Sequence, residues 1–226
     1  MKELIIDENY GGLVKEVSRY VYNGNIDFEG NIKITIPLFV TGDINSVGWI
    51  NSGGSINSVG YIKAGEFIYA GEAIKAGGSI AAGESIYSGE SISTGESISA
   101  GGSINSVGDI NSGEYIKAGE AIEAGGSISA DEYIKAGGYI YVVESIYSVG
   151  SISVGGNIYA GEYIKAGGYI EIEKKNILLS QTIEQQKEDL IDCLEELTEG
   201  NTITPRVAEY FDYMRERYLG KWGGTE

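Results

Sequence analysis

The sequence predicts an all-β fold: a single-stranded triangular β-helix, or β-solenoid, of about 18 residues per coil, with a small α-helical C-terminal segment. Three observations predict it. Isoleucine returns every sixth residue, as at Ile62, Ile68, Ile74 and Ile80, and holds that register from Ile44 to Ile170 without an insertion. Two residues after each isoleucine stands something small or β-branched, from Ser46, Ser52, Ser58, Ala64, Ala70 and Ala76 to Val154, Ala160, Ala166 and Ile172. Glycine concentrates three residues after the isoleucine, at Gly65, Gly71, Gly77 and Gly83. A period of six is not the 3.6 of a helix and is too regular for ordinary loops. In an extended segment residues two apart share a face, so a large and a small residue point inward together and the next residues turn a corner. Three such sides close a triangle, and coils stack at about 4.8 Å, so about eight of them make a rod roughly 40 Å long.

Taken in chain order, residues 1–24 read as an N-terminal cap. Leu4 to Ile6 suits a strand, while Leu13, Val14, Val17, Tyr20 and Val21 suit a short helix over the first coil. Residues 25–173 are the β-helix, with Ile26, Ile32 and Leu38 already in step. Its corners call for glycine because a sharp turn needs positive φ or close backbone approach. Val47, Val59, Val107 and Val149 replace that glycine but are followed at once by Gly48, Gly60, Gly108 and Gly150, so the permissive residue moves by one place. Asp131 tolerates the left-handed region better than most residues. Val143-Glu144 has no glycine at either place, and a distorted corner is expected there.

Residues 174–226 read as a C-terminal helical hairpin or cap. Thr182-x-x-Gln185 is a capping box, and Ile183, Leu190, Ile191, Leu194 and Leu197 form an apolar stripe that ends before Gly200. Thr204-Pro205 opens a second helix whose face is Val207, Phe211, Met214 and Tyr218, up to Gly220. These helices either fold over the last coil or form a homodimer or partner interface. Cys193, on the first of them, reads as an inert, partly buried thiol.

The net charge of -17 argues against direct binding to nucleic acid or an anionic membrane and favours a basic protein partner, or nothing but solubility. A single cysteine allows no internal disulfide and points to a reducing compartment. The opening MKELIIDENY lacks the apolar core of a signal peptide, and no apolar run approaches the length of a membrane span, so a cytoplasmic location is expected.

The recurring G-[SDN]-I-x-[AS], as in Gly42-Asp43-Ile44-Asn45-Ser46 and Gly156-Asn157-Ile158-Tyr159-Ala160, resembles the bactofilin family of polymer-forming β-helices across Ile26 to Ile170. It also looks like the hexapeptide-repeat left-handed β-helices. That second pattern places a small inward residue four after the aliphatic, where this chain has Glu66, Glu72 and Glu84; burying so many carboxylates is too costly. A right-handed, bactofilin-like coil is therefore expected. Bactofilins polymerise end to end, whereas the non-repeat segment at each terminus here reads as a cap. The acyltransferase and carbonic anhydrase activities of hexapeptide-type β-helices depend on histidine, and this chain has none. A histidine-dependent triad, a Cys/His zinc site and a phosphate loop lack their residues as well, so no catalytic residue, metal or cofactor is expected.

At 18 residues per coil, Glu66 stacks near Glu84, Glu72 near Glu90, Glu96 near Glu114 and Glu132, and Glu144 near Glu162. A gap of about 5 Å between carboxylates suits retaining glycosidases, yet any regular solenoid produces it, and no loop insertion forms a cleft. These ladders read as solvated carboxylates with Lys63, Lys75, Lys117, Lys135 and Lys165 offsetting the repulsion, or as sites for a cation or a basic partner. EFIYAGEAIKAGGSI at 66–80 recurs as EYIKAGEAIEAGGSI at 114–128, a shift that is not a whole number of coils and suits a scaffold better than a site.

Outward positions sort onto three sides. The first carries Trp49, Phe67, Tyr69, Tyr87, Tyr139, Tyr141 and Tyr159; the second carries Tyr61, Tyr115, Tyr133 and Tyr169 beside lysines; the third is mostly Ser, Asn and Ala until Tyr147 and Tyr163. Such aromatic rows either stabilise strands or form a contact surface. The expected partner-binding residues are the seven first-side aromatics with Glu66, Glu84, Glu72, Glu90, Glu144 and Glu162. Residues 42–173 hold 16 acidic and 5 basic side chains, so the rod carries most of the excess charge. A stiff negative rod resembles acidic pentapeptide-repeat proteins that imitate DNA and phage-borne inhibitors of nucleic-acid enzymes. That analogy implies a non-catalytic binder that occupies a basic nucleic-acid-binding surface and inhibits its owner. The alternative is a bactofilin-like scaffold that self-assembles.

Overall fold

The computed structural model describes residues 2–172 and the strand Ile177–Leu179, all within one compact unit, Met1–Ser180. The repeat folds as a β-solenoid of three sheets, two of ten strands and one of nine, parallel except for one antiparallel strand at the N-terminal edge. Each isoleucine pairs with the isoleucine one coil away: Ile44 with Ile62, Ile50 with Ile68 and Ile56 with Ile74. The first side is the sheet that includes Ile50–Ser52 and Ile68–Ala70. The second includes Ile44–Ser46 and Ile62–Ala64, and the third Ile56–Ser58 and Ile74–Ala76.

Strands of three residues alternate inward, outward, inward, which buries both the isoleucine and the small residue two places on. Every isoleucine wedge from Ile44 to Ile158 is buried. Each contributes about 1.5–3 kcal/mol through area removed from water. The buried serines do more than fill space. Ser88 Oγ donates to the Glu72 carbonyl one coil below (2.7 Å), and Ser148 Oγ does the same to Glu132 (2.8 Å). Among the described residues no buried side-chain polar atom lacks a partner. Burial fades in the last repeat coil, where Ile164 is half-buried and Ile170 is exposed.

Of the two reasons expected for glycine at the corners, only one applies. No glycine of the regular coils has positive φ; only Gly12 (φ 83°) and Gly24 (φ 127°), upstream of them, do. The requirement is instead close approach. A Cβ on Gly65 would collide with the Val47 carbonyl oxygen of the coil below, whereas one on Gly53 would meet nothing. At the Val149-Gly150 corner the tight place moves on by one, and a Cβ on Gly150 would collide with the Glu132 carbonyl; on Gly60 and Gly108 it would first meet the Asp43 and Ser91 side chains. Asp131 needs no left-handed backbone either. The distortion expected at Val143-Glu144 is absent: the Val143 N–H donates to Ala124 O (3.1 Å) and the Glu144 N–H to Gly126 O (3.3 Å), as at neighbouring corners. The Val143 side chain points into solvent, so this corner never asks it to pass the coil below. Gly65→Ala is thus expected to lower stability by about 1–3 kcal/mol, while Gly53→Ala raises it by about 0.4–1 kcal/mol, read from denaturant midpoints.

At the N-terminus, β1 (Glu3–Ile6) forms as expected and runs parallel to Asn31–Ile34. The expected capping helix is replaced by a hairpin. Strand β2 (Leu13–Lys15) pairs antiparallel with β3 (Tyr20–Tyr22), closed by the Glu16 N–H to Arg19 O bond (2.9 Å). The reason is register: Tyr20 lies 18 residues before Leu38 and pairs with it, so the open sheet edge captures a segment rich in β-branched and aromatic residues. At the other end, Ile177–Leu179 pairs with Ile158–Ala160 at a spacing of 19 rather than 18, so one extra residue is absorbed. No helix occurs among the described residues. The helices expected after Thr182 and Thr204, and Cys193, lie outside them.

Candidate interaction face

The three-residue strands fix where every outward side chain goes. On the first side, the residues after the isoleucines, and all those before them except the buried Ala121, reach the surface, which gathers Trp49, Phe67, Tyr69, Tyr87, Tyr139, Tyr141 and Tyr159 on one sheet. They form two groups rather than one row. Trp49 and Phe67 stack with ring centroids 5.9 Å apart and 12° between planes, beside Tyr69 and its register partner Tyr87. Ser103, Asn105 and Glu123 then intervene before Tyr141 and Tyr159, which meet at 6.3 Å and 47°. Tyr139 donates its hydroxyl to Glu123. That carboxylate pushes the Tyr139 phenol above its ordinary pKa, and burial adds to the shift.

Corner glutamates border this side. Glu66 and Glu84 lie on the corner that enters it, with the Glu84 N–H on Glu66 O (3.0 Å); Glu72, Glu90, Glu144 and Glu162 lie on the corner that leaves it, with the Glu162 N–H on Glu144 O (3.1 Å). All thirteen expected contact residues therefore fall on one sheet and its two edges. Between Lys33 and Ile172 this side and its corners carry no lysine or arginine. Lys63, Lys117 and Lys135 stand on the second side and Lys75 on the third. These four lysines make no ion pair among the described residues, so the offset expected of them is through space and not through contact.

The sequence reading missed what holds the glutamates. A serine just past a corner donates to the glutamate 17 residues later, one coil up: Ser55 to Glu72 (2.9 Å), Ser79 to Glu96 (2.8 Å), Ser97 to Glu114 (2.5 Å). Ser103 to Glu120 (3.2 Å), Ser127 to Glu144 (2.9 Å) and Ser145 to Glu162 (2.8 Å) repeat the rung. The signal was legible as serine and glutamate 17 apart, one less than the coil. Position 17 before Glu66 holds Trp49, and position 17 before Glu84 holds Phe67.

On the second side, Tyr115 and Tyr133 stack at 4.9 Å and 4°, with Lys117 and Lys135 two residues further along the chain. Burial, then Tyr115 and Glu132, raise the Tyr133 phenol above its ordinary pKa. On the third side Lys165 Nζ lies 5.7 Å over the Tyr147 ring. No group of three or more metal-ligating side chains occurs among the described residues. Compared with known proteins, the chain matches no family model, no curated protein and no solved structure. What the fold carries is thus the coarser likeness, a β-solenoid with hexapeptide-type coils of about 18 residues.

Proposed function

We propose that this is a non-catalytic acidic binding protein of the cytoplasm whose rod occupies a basic, nucleic-acid-binding surface of a partner and inhibits it, as a DNA or RNA mimic or a phage-type anti-defence inhibitor does. The observation that carries the reading is the first side: aromatic rings between two edges of glutamate, with no cation from residue 34 to 172. Such a surface presents closely spaced negative charge on a stiff frame, which steers and orders a basic partner. Charge imitation has to weaken with salt. Immobilised protein is therefore expected to retain nucleic-acid-binding proteins from a host lysate, and both duplex competitor and a rise from about 50 to about 500 mM salt should release them. Retention that ignores salt and competitor rejects the reading.

The second reading, a bactofilin-like self-assembling scaffold, draws on the exposed last coil, where Ile170 is 42% accessible on an edge strand. Sedimentation over a range of concentration separates the two: reversible filaments favour the scaffold, and a discrete monomer or homodimer favours the binder.

A further inference from the structure

We propose that the N-terminal half of the first side is an arginine-selective docking face, in which guanidinium groups of a basic partner lie on Trp49, Phe67, Tyr69 and Tyr87 and pair with Glu66 and Glu84. The inference rests on the acidic-binder reading and narrows it to one place and one side-chain chemistry.

The serine rungs carry it. Where a serine sits just past the corner, the carboxylate one coil up already has a hydroxyl partner. At two successive coils of the first side the serine place is aromatic, Trp49 and then Phe67. One exchange does two things there: it builds the parallel ring stack, and it leaves the Glu66 and Glu84 carboxylates without a side-chain hydrogen bond or ion pair among the described residues. Tyr69 (44% exposed) and Tyr87 (41%) extend the rings along the same strands. An unpaired carboxylate beside an aromatic face is complementary to a planar cation, which can stack on the ring and donate two parallel hydrogen bonds to the carboxylate. Lysine offers a point charge with no plane to stack, so arginine is preferred.

Two other places on the rod show what the combination needs. The upper first-side group has its carboxylates engaged: Glu144 and Glu162 by serines, Glu123 by Tyr139. The second-side pair Tyr115–Tyr133 also has an aromatic in the serine place, 17 before Glu132, but Lys117 and Lys135 stand on that sheet and repel an incoming cation. Among the described residues only the lower first side combines stacked rings, carboxylates without a rung and the absence of its own cations.

The test uses the full chain with Trp222→Phe, which leaves Trp49 as the one tryptophan reporter. Octa-arginine is expected to change its fluorescence saturably, and octa-lysine to bind about tenfold more weakly. Tyr69→Ser/Tyr87→Ser and, separately, Glu66→Gln/Glu84→Gln should each weaken octa-arginine about tenfold, while Tyr115→Ser/Tyr133→Ser changes it less than about twofold. Thermal melts by circular dichroism identify any variant that has lost its fold; the glutamine pair, at solvent-facing corners, then decides. Equal affinity for both peptides, or equal losses from first- and second-side variants, overturns the arginine face and leaves the general acidic binder standing. Saturable binding of a neutral oligosaccharide that needs Tyr69 and Tyr87 also overturns it, by assigning the rings to a sugar. If neither peptide binds at low salt, both readings fall.

Discussion

Replacing Ile104 with alanine is expected to lower stability by about 3–4 kcal/mol, read as a fall in denaturant midpoint at unchanged slope. Ile104 is fully buried and sits between Ile86 and Ile122 in the first-side ladder. Those neighbours cannot move into the space it vacates, because each is held by a backbone bond to the next coil: the Ile86 N–H is on Ser103 O (2.9 Å) and the Ile122 N–H on Tyr139 O (3.0 Å). A rigid wall turns lost methylenes into a cavity, and the cavity term adds to the transfer term. The control is Ile164, in the same register but half-buried in the last repeat coil, where alanine should cost about 1 kcal/mol or less. Equal losses at the two sites would mean that the wedges do not carry the core.

The side of each residue was legible because the repeat is arithmetic: six residues to a side and three sides to a coil place Tyr69 opposite Tyr87, and Glu66 under Glu84. What the period could not show was contact chemistry. Gly65 was recognised as a corner, but whether it serves for positive φ or for close approach depends on where the Val47 carbonyl points. The hydrogen bond from Ser97 to Glu114 falls outside the 18-residue register, because the two are one residue short of a full coil apart. The N-terminal hairpin was misread for a related reason: Val14, Val17 and Val21 do fit a helical face, but Tyr20 is in frame with Leu38, and an open sheet edge outweighs a weak local preference.

Deletions within the rod should obey the hexad and punish every other length. Removing residues 93–110, one whole coil, joins Ile92 to Asn111 and is expected to give a folded, shorter rod with all three sides unchanged. Removing 93–98, a single hexad, joins Ile92 to Ser99 and should also fold, at a cost of about 1–2 kcal/mol, because inward and outward positions are preserved. The chain already contains the precedent. The related segments at 66–80 and 114–128 place Ile68 on the first side and Ile116 on the second, both fully buried, so a hexad is indifferent to which side it forms. The six-residue deletion must therefore rotate everything beyond it by one side, carrying Tyr141 and Tyr159 from the first side to the second while Trp49, Phe67, Tyr69 and Tyr87 stay in place. Octa-arginine binding should survive this deletion, since the docking face lies wholly upstream of it. Removing 93–99 instead leaves one side with five residues, so either a corner loses its turn or the next isoleucine faces water, and a loss of about 4 kcal/mol or more is expected. Circular dichroism melts of the three deletions decide the matter. If the seven-residue deletion melts with the six-residue one, the inward wedges are not what sets the register, and the assignment of sides, the arginine face included, goes with them.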